Sequence, residues 1–382
     1  MTDNPKNDTD VTFMRRAIEL AKRGTGAVDP NPLVGAVIVK KGQILAEGWH
    51  ERFGGLHAER NAIKHFLEKY SADELKGSTI YVTLEPCCHH GKTPPCTDAI
   101  IENGFARVVV GSNDPNPLVA GKGIKLLKAA GIEVVTEFLK EECDALNFIF
   151  FHYISTKEPY VTLKYAMTTD GKIATSTGKS KWITGEAARQ RVHEDRNRYM
   201  AVMAGVGTVI ADNPELTCRL SDGRTGRNPI RIICDTNLRT PLESRIAMTA
   251  KDIRTIIATS CADSEKQRLY IEKGIELTVL PQKDNHIDLA VLAQKLGEMG
   301  IDSVILEGGG TLSFSALKSG IVNRVQAYIA PKLFGGANAK TPVEGKGIDE
   351  VNECIRLTDA SVTKIGEDIL LESEVAYGCL RG

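Results

Sequence analysis

Apolar residues recur at alternating helical and strand spacing along the first part of the chain. At residues 11–23 and 57–69 they lie three or four positions apart, which predicts two amphipathic helices. Residues 34–40 and 44–48 are apolar segments separated by Lys41-Gly42, which predicts a β-hairpin. The same patterns predict strands at 79–84, 108–111 and 134–135 and helices at 98–103 and 123–130. Strands and helices in this order predict a layered α/β domain.

A second alternating pattern begins near residue 160, after a segment in which Pro159 disfavours helix at the preceding residue. We therefore predict two domains, formed by residues 1–153 and 159–382. Alternation on this scale predicts a mostly parallel sheet that is covered on both faces. The expected strands lie near 160–166, 200–205, 230–234, 253–259, 275–280, 303–306 and 323–330, and the helices near 186–197, 263–273, 288–299 and 311–319.

The composition is that of an ordinary globular protein, with 382 residues of which 42% are apolar and 25% are charged. A net charge of −1 disfavours a nucleic-acid surface, because phosphate binding usually shows a basic excess. No apolar run approaches the roughly 20 residues that span a bilayer, and the polar first residues do not resemble a signal peptide. Nine scattered cysteines do not suggest a disulfide framework. We expect a cytoplasmic protein without nucleic-acid or membrane partners.

One histidine, one glutamate and two cysteines carry the clearest chemistry in the chain. His57 and Glu59 lie two residues apart, and Cys87 and Cys96 each follow a proline. Imidazole and thiolate are ligands that zinc prefers, and a catalytic zinc keeps its fourth position for water. Glu59 can carry the protons of that water without ligating the metal. This arrangement is the signature of the zinc deaminases that act on cytosine-like and adenine-like rings.

Two alternatives to a catalytic zinc stay open from the residues alone. His89 or His90 could supply the fourth ligand of a structural zinc site, or the motif histidine could be a core residue beside unrelated thiols. Glu59 would have no purpose in a structural site, which favours the catalytic interpretation. Cys88 could compete with Cys87, but the cysteine after proline is the ligand in the general motif. We therefore assign the ligand role to Cys87.

The spacing of nine residues between Cys87 and Cys96 is longer than that of the general signature. With this longer spacing, the segment resembles the deaminase half of the bifunctional riboflavin-pathway deaminase/reductase family. The resemblance covers nearly the whole chain, through the segments 31–35, 48–50, 114–117, 164–172, 212–219 and 307–309. It implies a cytidine-deaminase-like α/β/α domain followed by a dihydrofolate-reductase-like α/β domain.

The resemblance also implies two reactions. The N-terminal domain would use one Zn²⁺ to deaminate the phosphoribosyl pyrimidine of this pathway by hydrolysis, with Glu59 as general acid and base. The C-terminal domain would use NADPH to reduce the ribosyl chain of the deaminated product to ribityl. Lys164 and Asp170 are the polar pair expected nearest to the reacting carbon. A homodimer through the reductase domain fits the resemblance.

The residues that bind the small molecules are likewise implied by the resemblance. Those expected to bind substrate are Asn31, His50, His89, Lys92, Asp114, Asn116, Ser180, Arg196, Leu216, Arg219 and Glu307. Those expected to bind the cofactor are Ala166, Trp182, Thr208, Asp212, Thr236, Gly308, Gly309, Gly310 and Thr311. The three glycines follow an apolar run and open a helix, where bare amides and the helix dipole favour a phosphate. The alternative is a tight turn that needs a positive φ, which one glycine would satisfy.

Other interpretations stay open for some residues and for the whole protein. Asn31 and Asp114 stand in sequences that are also typical of turns, and Arg196 belongs to a run of charges that could be a solvated helical face. The other classes of protein are a nucleic-acid-editing deaminase with an accessory domain and a zinc-stabilised binding protein without turnover. A basic groove beside His57 would favour the first class, and a fourth protein ligand on zinc would favour the second.

Overall fold

The computed structural model describes residues 8–89, 94–117 and 119–377, in two compact units, Met1–Thr156 and Lys157–Gly382. The helices of the first unit are α1 (Asp8–Ala21), α2 (Ala58–Leu67), α3 (Ala72–Leu75), α4 (Cys96–Glu102), α5 (Lys122–Ala129), α6 (Lys140–Asp144) and α7 (Phe148–Thr156). Its strands are β1 (Gly35–Lys40), β2 (Gln43–Trp49), β3 (Thr79–Leu84), β4 (Arg107–Ser112) and β5 (Glu133–Val135).

The first unit has three layers, with its sheet in the order β2–β1–β3–β4–β5 between helices. β1 is antiparallel to both of its neighbours, and β3, β4 and β5 are parallel. Alternate side chains of β1 enter different cores: Ile38 packs with α2 and α4, and Val37 packs with α1. α2 crosses β2 closely, because a Cβ at Gly48 would lie 2.3 Å from the backbone nitrogen of Ala62. This close packing holds the start of α2, with His57 and Glu59, against the sheet.

The second unit contains the remaining elements. Its helices are α8 (Glu186–Arg198), α9 (Val206–Asp212), α10 (Arg245–Met248), α11 (Ser264–Glu272), α12 (Leu289–Glu298) and α13 (Gly310–Lys318). Its strands are β6 (Tyr160–Thr168), β7 (Ala201–Gly205), β8 (Ile230–Cys234), β9 (Thr255–Thr259), β10 (Glu276–Val279), β11 (Gln282–Lys283), β12 (His286–Ile287), β13 (Ser303–Leu306), β14 (Arg324–Ala330), β15 (Arg356–Ile365) and β16 (Asp368–Ala376).

The main sheet of the second unit runs in the order β10–β9–β8–β7–β13–β6–β14–β16–β15. It is parallel from β10 to β14, and β16 is antiparallel to both β14 and β15. The carboxyl ends of parallel strands meet at one edge of a sheet, so the loops after β6, β7, β8 and β13 leave from the same edge. Among the helices of the described residues, none combines the length and apolar character needed to cross a membrane.

Candidate functional site

His57, Cys87 and Cys96 meet at the beginnings of two helices. His57 is the N-cap residue of α2, Cys96 is the first residue of α4, and Cys87 lies in the loop after β3. Nδ1 of His57 lies 3.4 Å from Sγ of Cys87 and 3.5 Å from Sγ of Cys96. Ordinary zinc bond lengths in a tetrahedron separate a nitrogen and a sulfur ligand by about 3.6 Å. The three side chains therefore fit a zinc ion.

The metal-binding group consists of these three residues within the part of the chain that the structure describes. Neither His89 nor Cys88 belongs to it, and His90 lies outside the described residues. A hydrogen bond from the Cys96 thiol, against the effect of burial, lowers the pKa of Cys87 to about 4. The same hydrogen bond raises the pKa of Cys96, so the two neighbouring thiols share one proton and the thiolate, the form that ligates a metal, is favoured at Cys87.

Glu59 lies on the first turn of α2 and is 3% exposed. Burial, and then the nearby charge of Cys87, raise the pKa of its carboxyl. Glu59 shares the wall of one cavity of about 280 Å³ with His57 and Cys87. A buried carboxyl beside a metal site and open to a cavity can exchange protons with a bound water and a substrate.

The same cavity brings together the residues expected to bind the pyrimidine substrate. Its lining includes Asn31, His50, His89, Asp114 and Asn116. Lys92, expected to bind the same substrate, lies outside the described residues. Apolar side chains that the sequence patterns did not single out complete the walls, and they include Phe53, Val119 and Phe150.

His50 and Asn31 form a hydrogen-bonded pair in the cavity wall. Nδ1 of His50 lies 2.9 Å from the carbonyl oxygen of Leu56, so this nitrogen donates the hydrogen bond. Nε2 then accepts from Nδ2 of Asn31 at 3.1 Å. Burial lowers the pKa of His50, which agrees with a neutral ring. Nearby, Nδ1 of His89 is buried and has no hydrogen-bond partner among the described residues, which leaves a polar atom for a ligand.

Asp114 forms a turn as well as part of the cavity wall. Its Oδ1 accepts from the backbone N–H of Asn116 at 2.8 Å, and burial raises the pKa of Asp114 to about 6. Glu85 is a buried residue that the sequence analysis missed. Its carboxylate accepts from the N–H of Gly121 at 2.9 Å and of Ile124 at 3.3 Å, which fixes the start of α5 beside the cysteine loop. A glutamate directly before the Pro-Cys of the motif was the available signal.

A buried cluster of charges lies where the parallel strands of the second unit have their carboxyl ends, which we call the functional edge. Glu307, which follows β13, accepts two hydrogen bonds from Arg196, at 2.7 and 3.0 Å. Nζ of Lys164 lies 3.4 Å from the same carboxylate. Burial alone would raise the pKa of Glu307, but the two cations outweigh it and lower the pKa to about 2. The Arg196 side chain is 12% exposed, so its interpretation as part of a solvated helical face is wrong.

Lys164 and Asp170, expected nearest to the reacting carbon, bind different partners. Lys164 bonds to Glu307, whereas Asp170 accepts from the hydroxyl of Thr168 and from the N–H of Phe334 and Gly335. Asp170 stands in the loop after β6, and Lys164 stands within that strand. The two side chains therefore belong to separate groups of contacts.

Gly308 and Gly309 lie between β13 and α13, Gly310 is the first residue of α13, and none of the three has a positive φ. The alternative of a tight turn that requires a positive φ is therefore wrong. A Cβ at Gly310 would lie 2.7 Å from the carbonyl oxygen of Thr341, so packing requires glycine there. A Cβ at Gly309 would meet only Oγ1 of Thr208, at 3.9 Å, which leaves space at the beginning of α13. Thr208 stands here because β7, which precedes α9, pairs with β13.

Thr236 follows β8, and its carbonyl oxygen accepts from the N–H of Ser260 at 3.0 Å. The hydroxyl of Ser260 is buried without a partner among the described residues, so it is a further candidate that the sequence analysis missed. Its only sequence signal was a hydroxyl directly after β9.

The other residues expected in the second unit differ in exposure. Trp182 is 64% exposed and lies against Arg189, whose Cζ is 4.7 Å from the ring centroid. Arg219 is exposed and pairs with Glu215 at 2.9 Å, and Leu216 is buried with a φ of 53°. Ala166 and Ser180 are partly buried, and Asp212 and Thr311 are exposed.

Comparison with known proteins finds a family for each unit. Residues 7–112 match the family described as the cytidine and deoxycytidylate deaminase zinc-binding region. Residues 159–371 match the family described as the RibD C-terminal domain. The chain is 58% identical over 367 residues to the riboflavin biosynthesis protein RibD of Actinobacillus pleuropneumoniae, covering 96% of this chain and 96% of that protein. It is 38% identical over 372 residues to RibD of Escherichia coli, covering 95% of this chain and 98% of that protein.

Two solved structures extend the similarity to the fold. RibD of Acinetobacter baumannii matches with a TM-score of 0.84 and 36% identity, over 97% of this chain and 99% of that chain. A diaminohydroxyphosphoribosylaminopyrimidine deaminase/5-amino-6-(5-phosphoribosylamino)uracil reductase of Thermotoga maritima matches with a TM-score of 0.84 and 40% identity, over the same shares. The family and the fold class that the motifs indicated are confirmed.

Proposed function

The chain belongs to the RibD family of riboflavin biosynthesis proteins, and from this premise we propose that it catalyses two successive steps of that pathway. The first unit hydrolytically deaminates 2,5-diamino-6-ribosylamino-4(3H)-pyrimidinone 5′-phosphate. The second unit reduces the ribosyl side chain of the product with NADPH to give 5-amino-6-(5-phospho-ribitylamino)uracil. The observation that carries this proposal is the group of His57, Cys87 and Cys96 at one end of a cavity whose wall includes the buried Glu59.

Deamination in the first unit depends on proton transfer by Glu59. His57, Cys87 and Cys96 would hold a zinc ion, which would supply a water with its pKa lowered to about 7. Glu59 accepts one proton from the attacking water on a carboxylate oxygen and passes it to the ring nitrogen. It then carries the remaining proton of the added hydroxyl to the amino group, which departs as ammonia. The neutral His50 fixes one N–H of Asn31, so that the rest of this amide can orient the ring. Lys92 remains our proposal for the cation that binds the phosphate.

Reduction in the second unit depends on the placement of NADPH and of the ribose. Hydride transfer is the chemistry of the cofactor, which the protein orients. The beginning of α13, with Gly308 and Gly309, offers amides and the helix dipole to the pyrophosphate. Lys164 and Glu307 form an ion pair at the functional edge, where we propose that both contact the ribose of the substrate.

One experiment tests the whole proposal. The purified protein with zinc should release ammonia from the diamino pyrimidine phosphate, and with NADPH added it should then oxidise the cofactor in equal amount to the deaminated product. A protein that oxidises NADPH without prior ammonia release, or that deaminates a cytosine in single-stranded nucleic acid instead, would contradict it.

The neighbouring residues Cys87 and Cys88 allow a matched pair of variants that tests the zinc site. Cys87→Ser should lose bound zinc and deamination together. A hydroxyl is a poor zinc ligand, and the reaction needs the water that the metal activates. Cys88→Ser should keep both, because Cys88 is not part of the group of ligand atoms. Metal analysis of the two purified variants checks this. Zinc loss in Cys88→Ser with retention in Cys87→Ser would reverse the assignment.

NADPH rather than NADH is the proposed cofactor because of the residues after β8 and β9. A backbone hydrogen bond from Ser260 to the carbonyl oxygen of Thr236 joins the segments after β8 and β9. Arg239 follows in the same turn as Thr236, is exposed, and makes no side-chain hydrogen bond or ion pair with the described residues. A guanidinium suits the 2′-phosphate that distinguishes NADPH, and a hydroxyl can donate to the same phosphate.

Arg239→Ala should therefore weaken NADPH binding at least roughly tenfold and leave NADH binding nearly unchanged, since a charge-assisted bond to phosphate is lost. Titration of cofactor fluorescence measures both affinities. Arg254→Ala is the matched control, because Arg254 is also exposed but precedes β9 at the opposite edge of the sheet. An equal loss for both cofactors in Arg239→Ala would mean that the residue only supports the fold.

We further propose a cytoplasmic homodimer that associates through the second unit, with functional domains of residues 1–153 and 159–382. β15 is the edge strand of the main sheet, and Leu357 and Val362 on it are 45% and 69% exposed. An edge strand with exposed apolar side chains favours pairing with another chain. Light scattering should give the mass of a dimer, and Val362→Lys should shift it toward the monomer. A monomeric wild type would contradict this proposal.

A further inference from the structure

Two loops leave the functional edge of the second unit side by side. The first loop (residues 169–183) follows β6, and the second loop (residues 331–341) follows β14. β6 and β14 are parallel neighbours whose last residues, Thr168 and Ala330, pair in register. The first loop contains Ser180 and Trp182, which are expected to bind substrate and cofactor. The position of this loop therefore bears on both ligands.

Both carboxylate oxygens of Asp170, in the first loop, accept hydrogen bonds from the second loop. Oδ1 accepts from the hydroxyl of Thr168 at 2.5 Å and from the N–H of Phe334 at 3.1 Å. Oδ2 accepts from the N–H of Gly335 at 2.6 Å. The hydroxyl of Thr168, and then the amide of Gly335, lower the pKa of Asp170 to about 2. A carboxylate bound in this way carries no proton at neutral pH, so it is a poor proton donor for the reaction.

Lys332 makes the reciprocal connection from the second loop to the first. Its Nζ donates to the carbonyl oxygens of Trp182 at 3.1 Å and Ile183 at 2.5 Å. Its own carbonyl oxygen accepts from the N–H of Thr169 at 2.9 Å. An anion of the first loop thus binds amides of the second, and a cation of the second binds carbonyls of the first. The bond from the N–H of Ile173 to the carbonyl of Lys340, at 2.9 Å, adds a further link.

We propose that Asp170 is a positioning residue and that, with Lys332, it holds the two loops as one unit that places Ser180 and Trp182 for the substrate and NADPH. This inference rests on the proposed reductase function, and it replaces the expected catalytic role of Asp170. Charge-assisted hydrogen bonds at both ends of the first loop fix the loop before any ligand binds. Binding then requires less ordering of the loop.

Kinetics separate a positioning role from a catalytic one. Asp170→Asn replaces one carboxylate oxygen with an amide that cannot accept from the second loop, and Lys332→Met removes the opposite connection. Each should raise the KM for the deaminated substrate and for NADPH about tenfold, with a smaller change in kcat and an unaltered pH profile of kcat. In the double variant, the rise in KM should be smaller than the product of the two single rises, because both residues hold the same pair of loops. Lys340→Met, a lysine of the same loop without a described side-chain bond, should behave as wild type.

A roughly hundredfold or larger loss of kcat in Asp170→Asn, with loss of one limb of the pH profile and a normal Lys332→Met, would show a proton carrier and overturn the proposal.

Hydrogen exchange provides a readout that does not need reductase activity. In the ligand-free protein, Asp170→Asn and Lys332→Met should both accelerate amide exchange in the two loops, while Lys340→Met should not. Deamination by the same chains should stay at the wild-type rate, which shows that the protein is intact. Unchanged loop exchange in both variants would overturn the proposal even if the wild type reduces the substrate. If the wild type reduced nothing, the proposed function would fail, and the exchange data would still decide whether these residues hold the loops.

Discussion

Replacement of Glu59 by glutamine is expected to lower deamination roughly 100- to 10,000-fold while the protein keeps its zinc. Glutamine has nearly the same shape as glutamate but cannot accept and return a proton. The ligand atoms of His57, Cys87 and Cys96 are untouched, and their spacing already fits the metal without any contribution from Glu59. The loss should therefore appear in kcat for ammonia release, with metal content unchanged.

The measurement of ammonia release has two controls. Reduction of the supplied deaminated substrate by the same variant should match wild type, since Glu59 lies in the first unit. Glu102→Gln changes an exposed glutamate on α4 and should leave both reactions unaffected. Ammonia release by Glu59→Gln at near the wild-type rate would rule out Glu59 as the general acid and base.

Replacement of Glu307 by glutamine is expected to destabilise the second unit by about 3–5 kcal/mol. The substitution leaves Arg196 and Lys164 buried beside each other without a counter-charge, because Glu307 is the carboxylate that both contact. For a unit of this size the loss corresponds to a melting temperature lowered by roughly 6–20 °C. Calorimetry can follow the transition of the second unit, with that of the first unit as an internal reference.

This loss should also depend on pH with a definite sign. The pKa of Glu307 in the folded protein is about 2, below its ordinary value of 4.5. Its contribution is complete above the ordinary value and is lost as the pH falls toward 2, so wild type and variant should become more alike in acid. Glu276→Gln, which breaks the exposed pair with Arg254, should cost at most about 1 kcal/mol. A Glu307→Gln protein as stable as Glu276→Gln at neutral pH would show that this buried pair contributes little.

Most of the regular structure could be predicted from the sequence, because each buried element repeats its apolar residues at its own period. The helix at 57–69 is observed as α2, and the apolar run at 303–306 is observed as the central strand β13. The elements that were missed include β11, β12, β15, β16, α3, α6, α9 and α10, and the causes differ between β15 and α9. β15 is exposed along almost its whole length, and its sequence therefore has no buried face to mark it. The short helix α9 was concealed by the glycines at its beginning.

The first site was predictable to a large extent because zinc chemistry restricts the residue types. His57, Cys87, Cys96 and Glu59 were identified by type and spacing; the structure groups the first three as possible metal ligands and places His57, Cys87 and Glu59 on the wall of one cavity. The choice of Cys87 over Cys88 rested on the preceding proline, and Cys87 is the one in the metal-binding group. Glu85 was missed because its partners, the amides at the start of α5, lie more than thirty residues further along the chain.

The two α/β units, the candidate metal ligands and the family could be predicted from the sequence alone, because periodicity and ligand chemistry depend on residues that are close in the chain. Which charges meet depends instead on the tertiary fold. Arg196 contacts Glu307 across 111 residues of sequence, and Asp170 contacts Gly335 across 165. Neither partner could be identified from spacing, since the order of strands in the sheet, with β13 and β14 on either side of β6, sets these contacts. A buried charge is stable only beside such a partner, so the roles of these residues follow from the fold.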